Sequence, residues 1–150
     1  MRRRIRVRVA GIFIRDQKIL LVKHRKGDSE YFLLPGGGQE PGEGAQEALR
    51  REWKEELNLD ANIGNFLFFG ESVPPKNLKK SQVMQLVFLV NDARGKLFTE
   101  KSGALVGSEW VAVDDLNNVK LFPRCSNQLN AIIAGDKPTL YERYEWIHAS

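Results

Sequence analysis

The chain has 150 residues, 42% hydrophobic and 28% charged, which is enough to bury a core, too polar for a membrane-embedded protein and ordinary for a globular one. Its single cysteine, Cys125, excludes an internal disulfide and a cysteine-built zinc cage, and fits a reducing, cytoplasmic setting. The formal charge of +4 points to anionic partners, nucleotide or nucleic acid, without choosing between them. No apolar run approaches a bilayer span, and the opening MRRRIRVRV lacks the apolar stretch of a secretion signal, so no membrane partner is expected.

The N-terminal charge is carried by Arg2, Arg3, Arg4, Arg6 and Arg8. From Arg4 onward, arginine alternates with Ile5, Val7 and Val9, the period of a half-buried strand over about residues 4–14. Two readings stay open: an arginine face turned to solvent, or a basic wall that steers polyphosphate or RNA. Asp16 and Gln17 suit a tight turn into a second strand at residues 19–22, giving a hairpin. A short apolar strand at 31–34 is stopped by Pro35 and the glycines that follow. Residues 45–57 have helical composition, with Ala48, Leu49 and Trp53 facing the core and Asn58 as a left-handed C-terminal residue.

Further strands fall at 66–69, at 83–90 (the central one) and at 109–113, with a polar loop over 74–81 and a turn over 91–95. Asp114 is expected to cap a helical turn, and residues 126–134 to form a second helix with Leu129, Ile132 and Ile133 on one face. Tyr141, Tyr144 and Trp146 either pack on the domain or make a homodimer contact. The whole length, residues 1–150, reads as one α/β domain with a mixed sheet and no internal repeat.

The chemistry concentrates in residues 36–59, GGGQEPGEGAQEALRREWKEELNL. Glu55 and Glu56 stand three and four residues after Glu52 on a helix, where like charges at those spacings repel by a few tenths of a kcal/mol per pair (~0.2–0.5). A hard divalent cation such as Mg²⁺ or Mn²⁺ would offset that repulsion. The preceding glycines allow close backbone approach, so a carbonyl there can complete the coordination. Arg51 stands four residues before Glu55 and can orient it, and Glu43 either caps the helix or adds an acceptor behind the ligands. Carboxylate-held metal beside basic residues suits hydrolysis of a phosphoanhydride, with a spare carboxylate taking the proton of the attacking water. His24 and His148 are isolated, and no Ser–His–Asp or Cys–His set competes.

This segment resembles the Nudix hydrolase signature, on Gly37, Glu43, Arg51, Glu52, Trp53, Glu55, Glu56 and Leu59. Asn58 replaces the family's glycine and Trp53 its smaller aliphatic residue. The resemblance extends to the LPGGG entry and to the later EWVAVDDL and LFP segments. It implies an α/β/α sandwich around a mixed sheet, with the signature as a loop–helix–loop. It further implies a Mg²⁺ site (Mn²⁺ substituting) at Glu52, Glu55, Glu56 and the Gly36 carbonyl, supported by Glu43 and Arg51. Glu100 is the candidate for an additional carboxylate from a later loop, with Glu109 second; an ordinary solvated loop residue is the alternative for Glu100. The substrate implied is a small nucleotide, a nucleoside diphosphate linked to another group. Pro74 and Pro75 stand where ADP-ribose-cleaving members carry a proline, although a proline pair also suits an ordinary turn. A nucleotide sugar, a nucleoside triphosphate, a dinucleoside polyphosphate and an mRNA cap are alternatives. Phe32, Phe68 and Phe69 either stack a base or fill the core. Outside the hydrolases stand a non-catalytic nucleotide-binding regulator, which the intact glutamates disfavour, and an isoprenoid diphosphate isomerase, for which Cys125 is poorly placed. A nucleic-acid-binding protein is also disfavoured, because glutamates facing the ligand would oppose it.

Overall fold

Two apolar layers, one on each side of the strands, explain why so many strand sequences are continuously hydrophobic. The computed structural model describes residues 4–146, so the expectations for Arg2, Arg3 and His148 lie outside them. In chain order it comprises β1 (Ile5–Ile12), β2 (Ile14–Arg15), β3 (Lys18–Lys26), β4 (Ser29–Leu33), β5 (Gly36–Gly38) and α1 (Ala45–Leu57). There follow β6 (Asp60–Ser72), β7 (Gln82–Arg94), β8 (Leu105–Ala112), a 3-10 turn (Val113–Asn118), α2 (Ser126–Ile133) and β9 (Tyr141–Tyr144).

One mixed sheet has the order β5-β1-β7-β6-β9, with β1 parallel to β7, β9 parallel to β6 and the other pairs antiparallel. In the second sheet β3 pairs with β8 and with both β2 and β4, all antiparallel. Alternate residues of the strands serve opposite cores. Val9, Leu20, Val22, Phe88 and Val90 pack with Ala48, Leu49, Trp53 and Leu57 of α1. Ala10, Ile12, Ile19, Leu21, Phe68 and Val87 pack instead with Leu129 of α2 and with Leu116 and Cys125. Each such fully buried aliphatic side chain stabilises the fold by about 1.5–3 kcal/mol. This is the α/β/α sandwich expected from the signature.

Local chemistry set several elements where expected. Asp16 and Gln17 have φ of 53° and 63°, the paired left-handed geometry of a two-residue hairpin turn. Asn58 ends α1 at φ 59° and ψ 29°, and its side-chain Nδ2 donates to the Lys96 carbonyl at 3.0 Å. That bond and the left-handed tolerance of asparagine account for its standing in glycine's place.

Other expectations change. The expected strand at 4–14 divides: β1 joins β5 and β7, and only β2 forms the hairpin with β3. The three glycines form β5, an edge strand, rather than a loop. β7 continues through the expected turn at 91–95 because Asp92, Ala93 and Arg94 still pair with β6. Asp114 lies inside the 3-10 turn, with no side-chain cap bond there. Ile5 is 63% exposed, so the alternation of β1 does not bury its first apolar residue. Phe68 is core, and Tyr144 is buried against Gly70, leaving Tyr141 exposed on β9.

Candidate active site

The site is built where α1 crosses β5. Bonds from Gly11 N to the Pro35 carbonyl and from Gln39 N to the Val7 carbonyl, each 3.0 Å, bracket the β1–β5 pairing. The intervening Gly36 and Gly38 therefore turn their N–H and C=O groups away from β1, towards α1. Gly36 N donates to Glu56 Oε1 at 3.4 Å, and the Gly38 carbonyl accepts from Arg51 Nη2 at 3.0 Å. A side chain at Gly36 would run into the Val9 carbonyl. One at Gly37 would occupy the space of the Glu52 carboxylate. Glycine is needed here for close approach, and at Gly37 what approaches is Glu52.

All five guanidinium N–H groups of Arg51 are engaged. Nε and Nη2 meet Glu43 Oε2 and Oε1 at 3.0 and 2.6 Å, and Nη2 also reaches Gly38. Nη1 donates to Glu52 Oε1 at 2.9 Å and to Glu55 Oε2 at 3.4 Å. Glu43 thus clamps Arg51 instead of capping α1, whose first turn has no side-chain cap bond. Arg51 ties the loop, the glycine strand and two helix carboxylates together.

The carboxylates differ in environment. Burial pushes Glu56 up to about 7, against the pull of Arg8 and the Gly36 N–H. Burial also raises Glu52, with Arg51 opposing and Glu55 adding repulsion. Glu55 is 60% exposed and turned towards Arg51. Among the described residues no three His, Cys, Asp or Glu side chains converge as a closed metal cage. Glu52 and Glu56 nevertheless form a half-buried, mutually repelling pair of hard oxygen donors against β5, with the Gly36 carbonyl on the same side. That donor set fits a hard divalent cation.

Of the remaining expected residues, Glu100 is exposed beyond β7, two residues after Phe98, whose N–H donates to the Leu57 carbonyl at the end of α1 at 3.1 Å. Glu109 pairs with Lys23 at 3.6 Å on the second sheet. His24 stacks on Tyr31 at 5.4 Å, and Cys125 is buried with its thiol pushed up to about 12 by burial. Two further residues, Arg8 and Gln85, meet beside the glycine strand. The alternation of β1 leaves Arg8 either on a solvated arginine face or in a basic wall; its guanidinium instead turns inward, donating to Gln85 Oε1 at 2.8 Å and to the Leu34 carbonyl at 2.7 Å. Gln85 itself, an amide inside the apolar run of β7, was the signal that could have exposed the pairing.

Residues 4–130 match the family model described as the NUDIX domain. The chain belongs to the Nudix family. An ADP-ribose pyrophosphatase of Methanocaldococcus jannaschii is 32% identical over 117 residues, covering 77% of this chain and 60% of that protein. The NAD-capped RNA hydrolase NudC of Vibrio atlanticus is 31% identical over 114 residues, covering 76% and 40%. The Nudix domain here therefore spans between two fifths and three fifths of these curated relatives. The solution structure of the E. coli ORF135 protein agrees at a TM-score of 0.71 and 25% identity, covering 88% of this chain and 91% of that one. Among the described residues no helix is long and apolar enough to cross a membrane.

The Nudix clamp has a measurable acid signature. Arg51, and next the Glu40 N–H, hold Glu43 at about 2, below its ordinary 4.5. A depressed folded-state pKa contributes stability that is fully present above about 4.5 and is lost as pH falls towards 2. In melts between pH 2 and 7, Glu43→Gln should be less stable than the parent at neutral pH. The gap should close through that window; a constant gap would mean the clamp is not ionic.

Proposed function

We propose that the chain is a cytoplasmic, divalent-metal-dependent pyrophosphohydrolase that cleaves the phosphoanhydride of a nucleoside diphosphate linked to another group, with ADP-ribose or a nucleotide sugar favoured. The observation that carries this reading is the Glu52–Glu56 pair held against β5 by Gly36, Gly37 and Arg51. Burial works against ionising both carboxylates, and a bound cation would reverse that balance. Glu52, Glu56 and the Gly36 carbonyl would hold it, with Glu55 on the same helix. Mg²⁺, or Mn²⁺ in its place, supplies neutralisation of phosphate charge and a more acidic water. Arg51 keeps Glu52 oriented and Glu43 keeps Arg51 in place. A spare carboxylate, Glu55 or Glu100, takes the proton of the attacking water.

The substrate class draws on the relatives. ADP-ribose and the NAD cap both contain adenosine diphosphate joined to a further group, and the names of the two curated relatives refer to them. Chromatography of a nucleotide panel with Mg²⁺, Mn²⁺ or EDTA tests the proposal. ADP-ribose should yield AMP and ribose 5-phosphate with metal and nothing with EDTA. Release of pyrophosphate from nucleoside triphosphates alone would move the assignment to that alternative. No cleavage of any anhydride would remove the hydrolase reading.

A further inference from the structure

Arg8 is largely buried on the α2 face of the sheet, and its two hydrogen bonds use only two of its five N–H groups. Both acceptors, the Gln85 amide oxygen and the Leu34 carbonyl, are neutral. Among the described residues no carboxylate forms an ion pair with it, although buried arginines are nearly always paired. Guanidinium does not escape by losing its proton, so the charge stays. Beside it the amide of Gln85, 1% exposed, has a second anomaly: Nε2 has no hydrogen-bond partner. Two donor groups on neighbouring strands thus lack an acceptor at one place. The place is next to the catalytic helix, since the charges of Glu56 and Glu52 both act on Arg8. Arg6, exposed on the same strand face, adds positive charge at the rim.

We propose that Arg8, braced by Gln85 and the Leu34 carbonyl, is the anion-binding residue of this site and receives oxygens of the substrate's second phosphate, the one remote from the carboxylate pair. The geometry suits this: a guanidinium fixed at two nitrogens keeps its remaining N–H groups aimed, and planar forked donors match phosphate oxygens. The assignment rests on the hydrolase reading for where the nucleotide lies. It explains why, of three arginines on one strand face, Arg8 is drawn into the protein while Arg4 and Arg6 stay exposed.

The test uses ADP as an anionic probe and adenosine as a neutral one, titrated calorimetrically into the full chain with Mg²⁺ and with EDTA. Arg8→Met should weaken ADP binding by about tenfold or more in both media and leave adenosine binding unchanged. Arg8→Lys, which keeps the charge and loses the fork, should fall between. Arg8→Met removes an unpaired charge but also takes the donor from Gln85 Oε1 and the Leu34 carbonyl, so melts on the same samples must show that the variant is folded before its affinities are compared. ADP affinity within about twofold of the parent would overturn the proposal. So would a lowered melting temperature with adenosine binding lost as well, which is the mark of a structural brace. ADP binding through Arg8 in a protein that cleaves no anhydride would uphold the anion site and remove the hydrolase reading. Cleavage unaffected by Arg8→Met, with ADP affinity intact, would do the reverse.

Discussion

Glu56→Gln is expected to lower kcat by more than about 100-fold while the melting temperature stays level or rises. The lower bound follows from substitutions behind a metal ligand, which already cost 10–100-fold in affinity or activity. Glu56 is assigned to the ligand set itself, and glutamine has the same volume without the second anionic oxygen. The folded state gives little reason for a stability loss. Burial already disfavours the ionised form, raising Glu56 to about 7, and Glu52 adds repulsion. A glutamine carbonyl can still accept from the Gly36 N–H. The Mg²⁺ concentration for half-maximal activity should rise in parallel, since removing a ligand weakens the site before it alters the nucleotide pocket. Glu55→Gln should cost less, because Glu55 is exposed and held only by one 3.4 Å bond. Steady-state kinetics over a Mg²⁺ series, with melts on the same samples, would check this. Full activity in both variants would mean that the site lies elsewhere.

The parts of this site that were legible in the sequence are those decided by near neighbours. Helix spacing alone set Glu52 and Glu56 one turn apart on α1 and turned Ala48, Leu49 and Trp53 inward. Left-handed tolerance alone placed Asn58 and the Asp16–Gln17 turn. What was not legible depends on which strands pair. Period two says that Arg4, Arg6 and Arg8 share a face, but not that Gln85 arrives beside Arg8 from β7, 77 residues away. Likewise, three glycines after a proline suit a loop until β1 offers them a ladder. Glu55 shows the limit in the other direction. Its spacing puts it near the common face, yet no packing holds it there, and it turns to solvent and Arg51.

Trp53 stood out in the sequence as too large for its position, and its replacement should have the largest effect on stability. It is fully buried, and its Nε1 donates to the Pro35 carbonyl at 3.0 Å, the same oxygen that accepts from Gly11 N. The indole therefore pins the residue just before β5 to the helix that carries the carboxylates. Space for it comes from Gly11, where a methyl group would lie 2.7 Å from Val90 and 3.1 Å from the Trp53 ring. Phe13 closes the other side, edge-on at 5.9 Å. Trp53→Ala should destabilise by about 3–5 kcal/mol in denaturant melts. Trp53→Phe keeps most of the volume and should lose about 1 kcal/mol for the hydrogen bond, plus a further cost for the Pro35 carbonyl left with one donor. Gly11→Ala and Trp53→Leu should each be destabilising, and together cost less than their sum, because the smaller side chain vacates the space that the new methyl needs. Strict additivity would show that Val90, not Trp53, limits Gly11. A coupled pair would mean that the oversized tryptophan and the glycine facing it form one packing unit, with β5 held to α1 by the indole N–H.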